Sequence, residues 1–170
     1  MLFRSPIKIK AFGFVFRLLG HNRVRQYLGG TVGRRQRFSR FKHFLVAPSQ
    51  AGIWVACLAN VNRPIGLVEL GPHKDGKEYE ISYQFDPTFW GNGLASEAVR
   101  AIVEHALYNL GMERVIAETK SANSASFNLL RKQGMVLSDQ FEPVSVYRGM
   151  RKPRRNKAVA TQREPRFGSV

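Results

Sequence analysis

A chain of 170 residues with 44% apolar content suits one globular domain that buries about 70% of its unfolded surface, and it is too apolar for wholesale disorder. No apolar run approaches the roughly 20 residues of a membrane span, and the single cysteine, Cys57, excludes an internal disulfide and disfavours a Cys/His zinc site. A reducing, cytoplasmic setting without metal is expected. The net charge of +15 is unevenly spread: residues 1–68 hold twelve Lys or Arg and no acid, while 69–147 sum to −4 and 148–170 to +7. Such cationic ends either concentrate polyanions, RNA or the ribosome among them, or serve as a solvated surface.

In chain order, Arg4, Lys8 and Lys10 before the apolar residues 11–16 imitate a secretory leader. Arg17 interrupts that stretch and no small-residue cleavage site follows, so an amphipathic first helix is expected. Periodicity predicts a helix over 14–28, closed by Gly29 and Gly30. A second is predicted over 34–45, with Phe38, Phe41 and Leu45 on one face. After a break at 48–52, residues 53–58 and 65–70 read as strands joined at Asn62-Arg63-Pro64. Residues 79–85 alternate, with Tyr79, Ile81, Tyr83 and Phe85 on one face and Glu80, Ser82 and Gln84 on the other. A long helix opens at Trp90-Gly91-Asn92-Gly93-Leu94-Ala95-Ser96 and carries an apolar stripe as far as Leu110. A strand over 114–119, a helix over 123–133 stopped by Gly134, and strands over 135–141 and 145–150 follow. Residues 151–170 read as a basic, disordered tail.

The pattern is a mixed α/β (α+β) domain over residues 1–150: three antiparallel strands, then a strand–helix–strand–helix–strand crossover. Its chemistry centres on the glycine-rich turn at Gly91 and Gly93. Small residues let a ligand approach the backbone, and the first-turn amides of the following helix lack intrahelical acceptors. That makes an anion site suited to a pyrophosphate. The spacing matches neither a P-loop nor the three-glycine dinucleotide fingerprint.

Residues 64–135 resemble the GCN5-related N-acetyltransferase (GNAT) superfamily, in particular its RimJ/RimL-like branch of protein-alanine acetyltransferases. The matching pieces are Pro64-Ile65-Gly66, the 79–85 strand, the stretch from Phe89 through Trp90-Gly91-Asn92-Gly93-Leu94-Ala95-Ser96 to Ala98, residues 110–115, and Asn123, Ser126, Leu129 and Gly134 at their spacing. The resemblance implies a mixed central sheet with a splayed pair of strands, flanked by helices, and acetyl-CoA as cosubstrate. The strand ending at Gln84 and Phe85 would pair with the pantetheine. The amides of Gly91, Asn92, Gly93, Leu94, Ala95 and Ser96, beside Trp90, would hold the pyrophosphate, while Asn123 and Phe127 would flank the pantetheine.

The implied reaction, attack of an amine on a thioester, needs a base, a donor to the developing oxyanion and help for the departing thiolate. Glu80, on the polar face of its strand, is the first candidate base, and Glu69 the second. The amide of Phe85 or of a neighbour is the natural oxyanion donor. The tyrosine that many family members place near the thiolate is replaced here by Leu130, so Ser126 is the substitute, with Asn123 completing the catalytic set. His73 and His105 are placed outside it. Residues 1–45 diverge most from the family pattern, which leaves the acceptor side open. The acceptor is expected to be a protein N-terminal amine. A small-molecule amine, or a catalytically inactive CoA-binding or RNA-associated protein, are the alternatives, and a homodimer is an open option.

Overall fold

The computed structural model describes residues 2–46, 52–141 and 143–150. Its strands are β1 (Leu2–Pro6), β2 (Gly52–Leu58), β3 (Arg63–Pro72), β4 (Tyr79–Phe85), β5 (Arg114–Lys120), β6 (Val136–Phe141) and β7 (Val144–Met150). Among the described residues they make one seven-stranded sheet in the order β1-β2-β3-β4-β5-β7-β6. Every neighbouring pair is antiparallel except β4–β5, which is parallel. The mixed α/β expectation therefore holds. The expected break at 48–52 falls mostly outside the described residues, as does the tail at 151–170.

Among the described residues three α-helices precede β2: α1 (Phe12–Leu19), α2 (Asn22–Arg25) and α3 (Arg34–Leu45). Their apolar residues, Phe14, Val15, Leu18, Leu19, Val24, Phe41 and Phe44, bury against Ile53, Val55, Cys57 and Leu67 on one face of the sheet. On the other face lie α4 (Leu94–Glu104) and α5 (Ser124–Lys132). There Ala98, Val99, Ile102 and Val103 of α4 and Leu130 of α5 pack on Ala56, Val68, Leu70, Ile81 and Phe85. Each fully buried Val, Leu or Ile contributes about 1.5–3 kcal/mol, so α4 is anchored by its stripe. Beyond Glu104 the helix widens into a π turn over His105–Asn109. Ala106 and Leu107 stay buried, whereas Leu110 turns outward and is 38% exposed.

Leu110 departs from the expected stripe, and the structure departs from the sequence expectations in three further places of the fold. The helix predicted over 14–28 is two helices, because Arg37 of α3 occupies the space over Gly20. Its guanidinium donates to the Phe16 carbonyl (3.4 Å) and to the Val32 carbonyl (2.5 Å), and a Cβ on Gly20 would overlap it. A tertiary contact thus overrides local periodicity. On α3, Phe41 and Phe44 are buried while Phe38 and Leu45 are exposed; Phe38 instead meets Phe12 of α1 at a tilt and Phe16 edge-on, at 5.2 and 5.3 Å. Finally, β1 is a strand that no alternation announces. It pairs with β2 from Leu2 opposite Leu58 to Pro6 opposite Trp54, so the ladder defines it rather than its own pattern.

Candidate active site

The strands β4 and β5 are fastened at their starts and part toward their ends. Glu78, just before β4, pairs with Arg114 at the head of β5 at 2.6 Å. The ladder between the strands has one register position, Glu80 opposite Ile116. Past it the strands diverge into a cleft of about 710 Å³, opening at the carboxyl ends of two parallel strands, where open α/β sheets bind ligands.

The backbone beside this gap is prepared for it. Asp86 N–H donates to the Ile65 carbonyl at 2.9 Å, so strand alternation turns the N–H of Phe85 away from β3 and into the gap. The Phe85 carbonyl, which points the same way, is taken by the Trp90 indole N–H at 2.9 Å. Trp90 thereby removes a lone pair from the site and fixes the loop that follows. In that loop Gly91 and Gly93 have φ of 80° and 74°, the left-handed region that favours glycine. Nothing lies within 4 Å of where a Cβ on either would sit. Gly93 caps α4 without a side-chain hydrogen bond, so no capping side chain covers the Ala95 and Ser96 end of the helix that lines the opening. Arg23 of α2 stacks over the Trp90 ring at 5.2 Å and lines the same mouth. Donor amides, a helix N-terminus and a guanidinium together fit a diphosphate.

Alternation on β4 and β5 gives the cleft two walls. On the side of α1–α3 stand Glu80, Ser82 and Gln84, joined by Glu118 of β5; the Gln84 Oε1 is buried with no protein partner. Burial pushes the Glu80 carboxyl above the usual carboxylate range, and the neighbouring Glu118 charge adds to the rise against the opposing pull of His73 and Lys74. Burial also acts upward on Glu118, but hydrogen bonds from His73 and Lys74 outweigh it and hold Glu118 below that range. His73 is clamped between Asp75 and Glu118, its Nδ1 and Nε2 each 3.0 Å from a carboxylate oxygen. These contacts overcome burial and raise its pKa. Glu69, the second candidate base, does not line the cleft. Burial raises its pKa, with Arg40 and His43 of α3 opposing.

The opposite wall belongs to α5. Asn123 is its N-cap, accepting the Ser126 N–H at 3.2 Å, and both residues line the cleft. The Ser126 Oγ meets the Tyr83 hydroxyl at 2.6 Å. Burial pushes the Tyr83 phenol up to about 12. The structure thus brings together Glu80, Gln84, Phe85, Trp90, Gly91, Gly93, Ala95, Ser96, Asn123 and Ser126 around one cleft. Asn92 and Leu94 fall outside the lining, as does Phe127, which packs edge-on against Tyr147 at 5.5 Å. Sequence reasoning missed Arg23, Tyr83 and Glu118. Alternation places Tyr83 on one strand face with Ile81 and Phe85, and no local pattern marks the other two. Among the described residues no cluster of His, Cys, Asp or Glu could hold a metal ion, and no helix is long and apolar enough to cross a membrane.

Comparison with known proteins agrees with this architecture. The profile of the acetyltransferase (GNAT) domain matches residues 2–136. The uncharacterized N-acetyltransferase YnaD of Bacillus subtilis is 37% identical over 57 residues, 34% of either chain, so the match spans about a third of that relative's length. In three dimensions, a GNAT-family acetyltransferase from Bacillus anthracis superposes with a TM-score of 0.78 at 19% identity, covering 88% of this chain and 95% of that one. The spermidine N-acetyltransferase of Vibrio cholerae, solved with CoA and spermine, superposes with a TM-score of 0.75 at 15% identity, covering 88% and 95%.

Proposed function

The chain belongs to the acetyltransferase (GNAT) family, and on that premise we propose that it transfers the acetyl group of acetyl-CoA to a primary amine, most fittingly a protein N-terminal amine. One observation carries the reading: the raised carboxyl of Glu80 stands where β4 and β5 part, at the floor of a cleft whose other end is the open mouth of α4. In this scheme the mouth amides and Arg23 hold the diphosphate, and the pantetheine lies along the free edge of β4. Glu80 takes the proton from the attacking nitrogen. The Phe85 N–H donates to the negative charge that develops on the acetyl oxygen, a contact worth about 2.7–4 kcal/mol. Ser126, held by Asn123, faces the departing sulfur.

The acceptor follows from acidity. An α-amine, with a pKa of about 7.7–8.0, yields its proton to a carboxylate far more readily than a lysine-type amine near 10.4. Arg23, Lys120 and Lys132 at the cleft also disfavour a second positive charge on the acceptor. The likeness to the RimJ/RimL-like branch adds to this reading. The test is thiol release with short peptides bearing a free α-amine, an Nα-blocked lysine peptide and spermidine. The peptides with free α-amines are expected to exceed spermidine in kcat/KM by about 10-fold or more. Turnover confined to spermidine would reassign the acceptor to a small polyamine. Binding of acetyl-CoA with no turnover on any amine would leave a silent CoA-binding protein.

A further inference from the structure

Two hydroxyls meet at the α5 wall of the cleft: Tyr83 on β4 and Ser126 on α5, oxygen to oxygen 2.6 Å. Their backbones belong to different elements, and Ser126 is already fixed by the Asn123 side chain on its N–H. The serine is therefore held at both ends at the wall where the thioester would lie. A hydroxyl pair of this kind has one hydrogen between the oxygens and one left over, and which oxygen donates decides where the spare hydrogen points.

We propose that Tyr83 is a positioning residue, its phenol donating to the Ser126 Oγ so that the serine's own hydrogen is free to be presented to the departing sulfur. This rests on the reading of Ser126 given above and extends it to a residue outside the glycine-rich turn and the carboxylate wall. The Tyr83 phenol stays protonated across the working range, because burial pushes it up to about 12. An aliphatic hydroxyl is no stronger an acid, whereas a thiol titrates near 8.5. Net proton transfer from this pair to a thiolate is therefore uphill. Its contribution is a hydrogen bond to sulfur as the carbon–sulfur bond breaks and sulfur keeps the bonding electrons. The proton that completes the thiol comes from solvent, matched by the one that the nitrogen gives to Glu80.

The experiment is a double-mutant cycle on the full chain with Tyr83→Phe, Ser126→Ala and both. Each is measured for kcat and KM with the best acceptor and for acetyl-CoA affinity by calorimetry. Ser126→Ala is expected to lower kcat about 10²-fold, the effect of one donor to developing charge. Tyr83→Phe should lower it about 10-fold, with KM for acetyl-CoA and binding affinity within about twofold of the parent. The double variant should match Ser126→Ala alone, because Tyr83 acts only through the serine. Losses that multiply, or a Tyr83→Phe enzyme with full kcat beside an impaired Ser126→Ala, overturn the role of Tyr83 and leave the acetyltransferase reading intact. Full kcat in Ser126→Ala overturns the serine's role together with it. Failure of the parent chain to bind acetyl-CoA overturns the function itself. If phenylalanine at 83 lowers the melting midpoint, 3-fluorotyrosine there keeps the ring and donates more strongly. It must hold or raise kcat, and a fall would contradict the proposal.

Discussion

Glu80 sits under opposed influences that fix how its proton should behave. Burial and the Glu118 charge raise its pKa, while His73 and Lys74 pull it down. A base must be unprotonated to act, so kcat at saturating acceptor should fall as pH drops, with an acidic limb above the value of about 4.3 for a free glutamate. Glu80→Gln should lose about 10²–10⁴-fold of kcat and show no such limb. Glu118→Gln removes a negative neighbour and should move the limb to lower pH. His73→Gln removes the imidazole whose positive charge pulls the Glu80 pKa down and should move the limb higher. A pH–rate profile of the four proteins checks all three directions. A limb that ignores Glu118 and His73 would place the base elsewhere.

Elements were legible where one pattern sufficed. The β4 alternation, the α4 stripe and the glycine turn between them are local signals, and the structure reproduces the 79–85 strand and the start of α4 at Leu94. Features set by contacts distant in sequence were not legible: the break at Gly20 under Arg37, the edge strand β1, and Arg23 reaching Trp90 from α2. The same holds for Tyr83, whose partner lies 43 residues away. One such contact yields a test at this scale. A Cβ on Gly66 of β3 would overlap the Phe85 ring, which is 5% exposed and cannot swing clear. Gly66→Ala should cost about 1–3 kcal/mol, lowering the melting midpoint by about 3–10 °C, and should lower kcat by disturbing the Phe85 N–H that meets the developing charge. Gly71→Ala on the same strand, where a Cβ would meet only the Glu69 carboxylate at 4.0 Å, should shift it by less than about 2 °C. Equal shifts in the two variants, read by calorimetry, would contradict the assigned packing.

At the scale of the molecule, the sheet serves two groups of helices. The cation-rich segment α1–α3 covers one face and supplies Arg23 and Tyr27 to the cleft, while α4 and α5 cover the other and supply the amide mouth and Ser126. The split between β4 and β5 joins the two sides, so on the proposed reading a substrate held by its diphosphate at the α4 mouth would present its acyl group to the carboxylate side. Without that grip neither wall has a reactant to act on. Titration of the full chain with acetyl-CoA by isothermal calorimetry tests this most directly. The account predicts one saturable site per chain with a dissociation constant between about 1 μM and 1 mM, the usual span of substrate affinities; no saturable binding at millimolar acetyl-CoA would contradict it.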